Sequence, residues 1–155
     1  VRGAVGEACG ALGVEKVALN SVYFWPDWRD GVVRFLRSAG LDVVWFGNFV
    51  DQGHYDTQEE VNDRSWIFPG DLALASMRHA AEAAPGAEVI LVNGMPNWRR
   101  PDGLPERTVS LARDLEAEID MPVIAADLAL YWAIFRSLDV APVGVHGSLL
   151  SGLQL

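Results

Sequence analysis

A chain of 155 residues, half of them hydrophobic and about a fifth charged, has the make-up of one folded domain, not of two domains or a disordered segment. A net charge of −9 argues against a protein that tracks nucleic-acid phosphates or adsorbs to an anionic membrane, and no apolar run reaches the length of a membrane span. The single cysteine, Cys9, excludes an internal disulfide and a multi-cysteine metal site, and a cytoplasmic location is the default expectation.

The chain opens VRGAVGEACGALGV, without an initiator Met and already in helical rhythm, with Val5, Ala8, Cys9 and Leu12 on one face. It reads as the start of a segment cut from something longer, or as an alternative start. Gly13 ends the rhythm, and Val17, Ala18 and Leu19 form the core of a first strand. Pro26-Asp27 starts a helix whose Trp28, Val32, Phe35, Leu36 and Ala39 recur at helical spacing, with Gly40 as its stop. Leu41 to Gly47 is a second strand. The polar stretch from Asn48 to Gly70 has no clear period, and a loop of that length is expected to hold a short helix around Gln58 to Asn62.

Asp71 is expected to cap a helix running to Ala84, with Ala73, Met77, Ala80, Ala81 and Ala84 inward and Pro85-Gly86 closing it. The next stretch, AEVILVNGMPNWRR (Ala87 to Arg100), organises the rest: an unbroken apolar run, Val89 to Val92, that stops at Asn93-Gly94. Strands of this kind suit the middle of a parallel sheet covered on both faces. Pro105 falls where a first-turn proline is tolerated, ahead of a helix carrying Leu104, Thr108, Leu111, Leu115 and Ile119. Met121 to Asp127 is a short fourth strand. Asp127 can cap a last helix with Leu128, Tyr131, Trp132, Phe135 and Leu138 inward, and the Gly/Ser-punctuated tail is expected to lie over the sheet.

Strands alternating with helices predict an α/β fold: a four-stranded parallel sheet with helices on both faces, in the flavodoxin-like order 2-1-3-4. The loops after strands one, three and four then converge on one edge. They bring Asn20, Ser21, Tyr23, Trp25 and Trp28, then Asn93, Gly94, Met95, Asn97, Trp98 and Arg99, then Asp127. Uncharged hydrogen-bonding groups and free backbone N–H groups at helix starts suit a small carboxylate or other anion. Trp28 and Trp132 sit on core faces, whereas Trp25 and Trp98 either line the site or are buried. Asn93-Gly94 is either part of the site or only a tight turn, and Asp127 is either a cap or an acid/base group.

No G-x-G-x-x-G follows the first strand and no P-loop is present, so no nucleotide cofactor is expected. No metal is expected either: no His pair has zinc spacing, and His54 with Asp56 and Glu59 reads as a solvated acidic loop. His79 falls on a surface face. His146 is a tail residue or a group folded over the pocket, and Cys9 is a small core residue.

The succession ALGVEKVAL, GVVRFLRSAGLDVVWFG, EVILVNGMPNWR, MPVIAADLALYWAIFRSLDV and GVHGSLL resembles the aspartate/glutamate racemase superfamily, in its maleate cis-trans isomerase and arylmalonate decarboxylase branch. The likeness covers nearly the whole chain, but only the C-terminal lobe of such two-lobed proteins. It implies a single α/β lobe, residues 1–155, of a cofactor-independent isomerase, racemase or decarboxylase acting on a small carboxylic acid. Family chemistry uses strand-end cysteines. Where the family has S-C-T-N-L-R this chain has Gly94-Met95-Pro96-Asn97-Trp98-Arg99, so a thioether that cannot be deprotonated stands at the cysteine position. The carboxylate-holding tyrosine of the T-P-Y segment resembles Tyr23, although the preceding residues differ. The asparagine of the S-N-Q segment corresponds to Asp127, which opposes an anionic substrate unless protonated or paired.

Two functions follow from the resemblance. In one, Tyr23 and Asp127 are the catalytic pair of the lobe, Asn20, Ser21, Asn93, Gly94, Met95, Asn97 and Trp98 bind substrate, and a missing lobe supplies the thiol. In the other, the chain is a non-catalytic carboxylate-binding or self-assembling domain. A lone lobe exposes the face that meets its twin, so a homodimer is the expected partner arrangement.

Overall fold

The computed structural model describes residues 2–22, 25–94 and 97–153. In chain order its elements are α1 (Arg2–Leu12), β1 (Lys16–Ser21), α2 (Pro26–Ser38), β2 (Asp42–Asn48), α3 (Gln58–Asp63), β3 (Ile67–Pro69) and α4 (Gly70–Ala83). There follow β4 (Val89–Asn93), β5 (Asn97–Arg99), α5 (Thr108–Ile119), β6 (Val123–Ala125), α6 (Ala126–Leu138) and α7 (Ser148–Ser151). Tyr23 and Met95 lie outside the described residues.

Among the described residues the main sheet has the order β2-β1-β4-β6 with every pair parallel, which is the expected 2-1-3-4 once the short β3 and β5 are set aside. Val17, Ala18, Leu19, Val89 and Ile90 of the two central strands are completely buried, which is why they read as unbroken apolar runs. α4 packs on β1, β2 and β4 beside α5, while α1, α2 and α6 cover the other face. This is the arrangement that right-handed crossovers impose when the chain steps outward to β2 and then back past β1 to β4. At the opposite, amino end of the sheet the Glu88 carboxylate accepts the Glu15 and Lys16 amide hydrogens (2.8 and 3.1 Å), and these two bonds hold its pKa below the usual carboxylate range.

The aperiodic stretch holds the expected short helix, α3, capped by Thr57 Oγ1 accepting the Glu60 amide (3.3 Å). It also holds β3, which pairs in parallel with β5 in a separate two-stranded sheet that the sequence did not reveal. Three-residue strands are too short to carry a period. What fixes this region is an aromatic cluster: Phe49, Tyr55, Phe68 and Trp98 meet with ring centroids 5.2 to 6.4 Å apart.

Helix starts depart from expectation. α4 and α6 follow directly on β3 and β6, so Pro69 and Ala125 occupy the cap positions with no side-chain cap. Asp71 and Asp127 lie instead inside the first turn, each Oδ1 accepting the next residue's amide at 2.9 Å. There they still complement the helix dipole. α5 begins at Thr108, because Pro105 is held in an antiparallel bridge with Arg99, and Leu104 is exposed. On α6, Leu128, Ala129 and Trp132 are buried, whereas Tyr131 and Leu138 point outward with Leu130 and Ile134.

The tail is fastened by one carboxylate. Glu116 of α5 accepts the Val123 amide through Oε1 (2.7 Å) and the Ser148 amide and hydroxyl through Oε2 (2.6 and 3.1 Å), so it ties β6 and α7 to the same point. Leu149 and Leu150 are thereby buried against α6, α1 and β6. A Cβ on Gly147 would stand 2.7 Å from Glu116 Oε2, so only glycine fits there without moving the carboxylate. Glu116→Ala is expected to cost about 1–3 kcal/mol in urea unfolding, the range for stranding one buried donor, here the Val123 amide, with hydrogen-exchange protection lost at Val123 and Ser148. Gly147→Ala should loosen Ser148 more than Val123. Unchanged protection at both amides in Glu116→Ala would refute this anchor.

Candidate functional site

At the carboxyl edge of the sheet the register places Ser21 opposite Asn48 of β2 on one side and Asn93 of β4 on the other. Three polar side chains therefore form a row across adjacent strands spaced about 4.8 Å apart. The row lies where the chain's direction of winding reverses between β1 and β4, the place where open α/β sheets receive ligands.

These residues are not equally available. Asn20 is buried, and its carboxamide is spent within the protein: it faces the Ser76 hydroxyl at 3.0 to 3.1 Å, and Oδ1 also accepts from Gln52 Nε2 at 3.0 Å. Asn48 Oδ1 accepts the Val50 and Asp51 amides in a tight turn, but its Nδ2 is buried without an acceptor. Asn93 Nδ2 and Trp98 Nε1 are likewise buried without acceptors among the described residues. All three are N–H donors. Leaving such a group unmade costs about 1–3 kcal/mol. Gly94, at φ +110°, turns the chain between the last two in a conformation that side-chain-bearing residues rarely adopt. Asn97 is exposed, its amide donating to Trp66 O at 2.6 Å.

Three hollows surround this edge. An inner cavity of about 10 Å³, room for about one water, is lined by Asn20, Ser21, Ser76, Trp98 and Thr108 among others. A hollow of about 120 Å³ under α1 and α2 is lined by Trp28, Phe35, Asn93 and neighbouring apolar residues, so Trp28, expected on the core face, is a half-buried wall residue instead. A cleft of about 180 Å³ lies between β5, the start of α5 and α6. It brings together Asn97, Trp98, Arg99 and Asp127, as expected from their strand-end positions, and adds Arg107, Thr108 and Tyr131. Trp98 is 3% exposed, so it is a buried residue that also walls two of the hollows.

Sequence reasoning missed Asn48, Arg107, Thr108 and Tyr131 as members of this edge. Tyr131 carried a usable signal, since it stands four residues after Asp127 and so shares its helix face. Arg107 and Thr108 were hidden by placing the start of α5 at Pro105.

The architecture defines a class: a parallel α/β lobe with a polar, donor-rich carboxyl edge. No protein-family model and no curated protein sequence matches the chain. Among solved structures it is similar to the Gly-to-Cys mutant of arylmalonate decarboxylase in its sulfate-associated form (TM-score 0.72, 23% identity, 96% of this chain and 57% of that one). It is also similar to a Cys-to-Ser mutant of Nocardia farcinica maleate cis-trans isomerase with a covalently bound succinylcysteine intermediate (0.67, 24%, 96% and 53%). A third neighbour is a Cys-to-Ala form of maleate isomerase from Pseudomonas putida S16 with maleate (0.61, 23%, 97% and 53%). At these identities the likeness is one of fold, and the chain spans a little over half the length of each neighbour.

The remaining titratable groups stand apart from the edge. Desolvation, with the His79 charge second, holds His54 below the usual imidazole range, and among the described residues no cluster has the make-up of a metal site. His79 is exposed, and His146 Nε2 lies 3.0 Å from Val143 O within the tail. Cys9, on the inner face of α1, is completely buried, and burial pushes its thiol up to about 11. The folded protein is expected to resist iodoacetamide at about pH 8 while the guanidinium-unfolded chain reacts. Because the folded state keeps a proton that the unfolded chain releases, stability should fall as pH rises from 9 to about 11. Alkylation of the folded protein at the unfolded rate would refute the buried placement.

Proposed function

We propose that this chain is a carboxylate-binding lobe of a cofactor-independent isomerase, racemase or decarboxylase acting on a small carboxylic acid. The observation that carries the reading is the pair of buried donors without acceptors, Asn93 Nδ2 and Trp98 Nε1, on either side of residues 94–97. Both lack an acceptor, and a carboxylate supplies acceptors only. Placed where negative charge develops on an enediolate, such preset donors stabilise it without reorganisation. The fold shared with a decarboxylase and a cis-trans isomerase supports the class.

In this reading Asn93, Gly94 and Asn97 with Trp98 hold the acid, and Met95, at the position of the family cysteine, is a further substrate-binding residue. Asn20 and Ser21 shape the floor beneath them. Tyr23, by its likeness to the family tyrosine, grips the carboxylate, and Asp127 handles a proton. The thiol comes from a second lobe, because Cys9 is sealed in the core.

A second reading, a binding or self-assembling lobe without chemistry, is favoured by that same absence of an accessible thiol among the described residues. Either reading accommodates a homodimer, supported by the outward apolar stripe Leu130, Ile134 and Leu138 on α6.

Thermal-shift titration with maleate, aryl-substituted malonates and simple monocarboxylates should reveal at least one acid that raises Tm by about 5–10 °C at a hundredfold excess over Kd. Asn93→Ala is expected to weaken that acid about 10- to 100-fold, the worth of a hydrogen bond to a charged group, without destabilising the free protein. Tyr23→Phe should weaken it as well. If no acid stabilises the wild type, the lobe is not a carboxylate site. Light scattering at micromolar concentration should give a mass near twice that of the chain, and a strict monomer would remove the dimer from the proposal.

A further inference from the structure

The cleft at the start of α5 has a donor and acceptor pattern more specific than carboxylate binding requires. α5 is a twelve-residue helix with no side-chain cap, and the Ser110 and Leu111 amides both return to Arg107 O. The Thr108 and Val109 amides have no carbonyl to reach inside the helix. Arg99 and Arg107 line the same cleft, and neither takes part in an ion pair among the described residues. Trp98, almost fully buried, lines it too, with Nε1 lacking an acceptor. Together these groups supply the cleft with N–H donors and positive charge.

The lining also carries acceptors: Glu106, Asp127 and Tyr131 belong to it. Glu106 Oε1 is occupied by the Arg107 amide at 3.3 Å, and Asp127 Oδ1 by the Leu128 amide at 2.9 Å. Asp127 Oδ2 remains as an acceptor. A fully ionised oxyanion seated among the donors meets this carboxylate oxygen with no proton between them, which is repulsive. An oxyanion carrying its own O–H donates that hydrogen to Asp127 in a charge-assisted bond.

We infer that the cleft formed by Arg99, Arg107, Thr108 and Asp127 is a binding site selective for oxyanions that bear a hydroxyl or acid hydrogen, such as a hydrogen phosphate group or a hydroxy-carboxylate. The inference rests on the reading of the strand ends as a carboxylate site and adds which acid that site prefers. The donors hold the ionised oxygens, and Asp127 accepts the remaining hydrogen. A cleft of this size takes a small ligand and excludes one of drug-like dimensions.

The test uses four probes at constant ionic strength: inorganic phosphate against sulfate, and glycolate against acetate. Binding is followed by ¹H–¹⁵N NMR at the Thr108 and Val109 amides. At least one of phosphate and glycolate should give saturable shifts with a Kd about tenfold or more below its partner lacking the hydrogen. Binding by phosphate alone assigns a phosphate group, and by glycolate alone a hydroxy acid. Asp127→Asn should bring sulfate or acetate to within about threefold of its partner, because the carboxamide can donate where the carboxylate could not. Arg107→Gln should weaken both members of a pair alike. Equal affinity within both pairs in the wild type, or no saturable shift with any probe, overturns the inference. If acids still stabilise the protein through Asn93 while the cleft reporters stay still, the strand-end reading survives and this one falls.

Discussion

The pairing of β1 with β4 is the constraint on which everything else depends. Its five-residue register, Val17 against Val89 through Ser21 against Asn93, buries the most apolar segments of the chain between two helical layers. The same pairing forces a polar residue from each strand to the carboxyl edge, since the apolar runs end together there. A slip by one residue would turn Ser21 and Asn93 to the opposite face and drive Leu19 and Leu91 out of their layer. Core packing and site geometry are therefore set by one register.

The parts of this structure that were legible in the sequence are those fixed by local periodicity. Val17–Leu19 and Val89–Val92 declared themselves by composition, and strand order followed from alternation with helices and the handedness of crossovers. β3 and β5 did not, because their pairing depends on Phe49, Phe68 and Trp98 meeting from segments far apart in the chain. Helix starts were misread wherever a strand passes straight into a helix and no capping residue intervenes, as at Pro69 and Ala125.

The candidate site was legible as a place and not as a set of roles. Asn20 and Asn93 look alike in the sequence, both following an apolar strand. In the fold Asn20 is consumed by Ser76 and Gln52, whereas Asn93 keeps an unpaired donor. The difference is a matter of which helix lies over each strand end. Arg107 and Tyr131 join the edge only because the turn closed by the Arg100–Asp102 ion pair and the Arg99–Pro105 bridge folds back beside α6.

The direct junction of β6 with α6 has a consequence for how such a lobe can diversify. With no connecting residues between strand and helix, Asp127 is rigidly indexed to the sheet, and an insertion there would rotate the whole of α6 and unseat Trp132. The turn from Arg100 to Pro105 is bonded mainly to itself and to Arg99, so it can lengthen or shorten while the sheet stays put. Variation in loop length is therefore cheapest on the Arg107 side of the cleft, with Asp127 as the fixed datum.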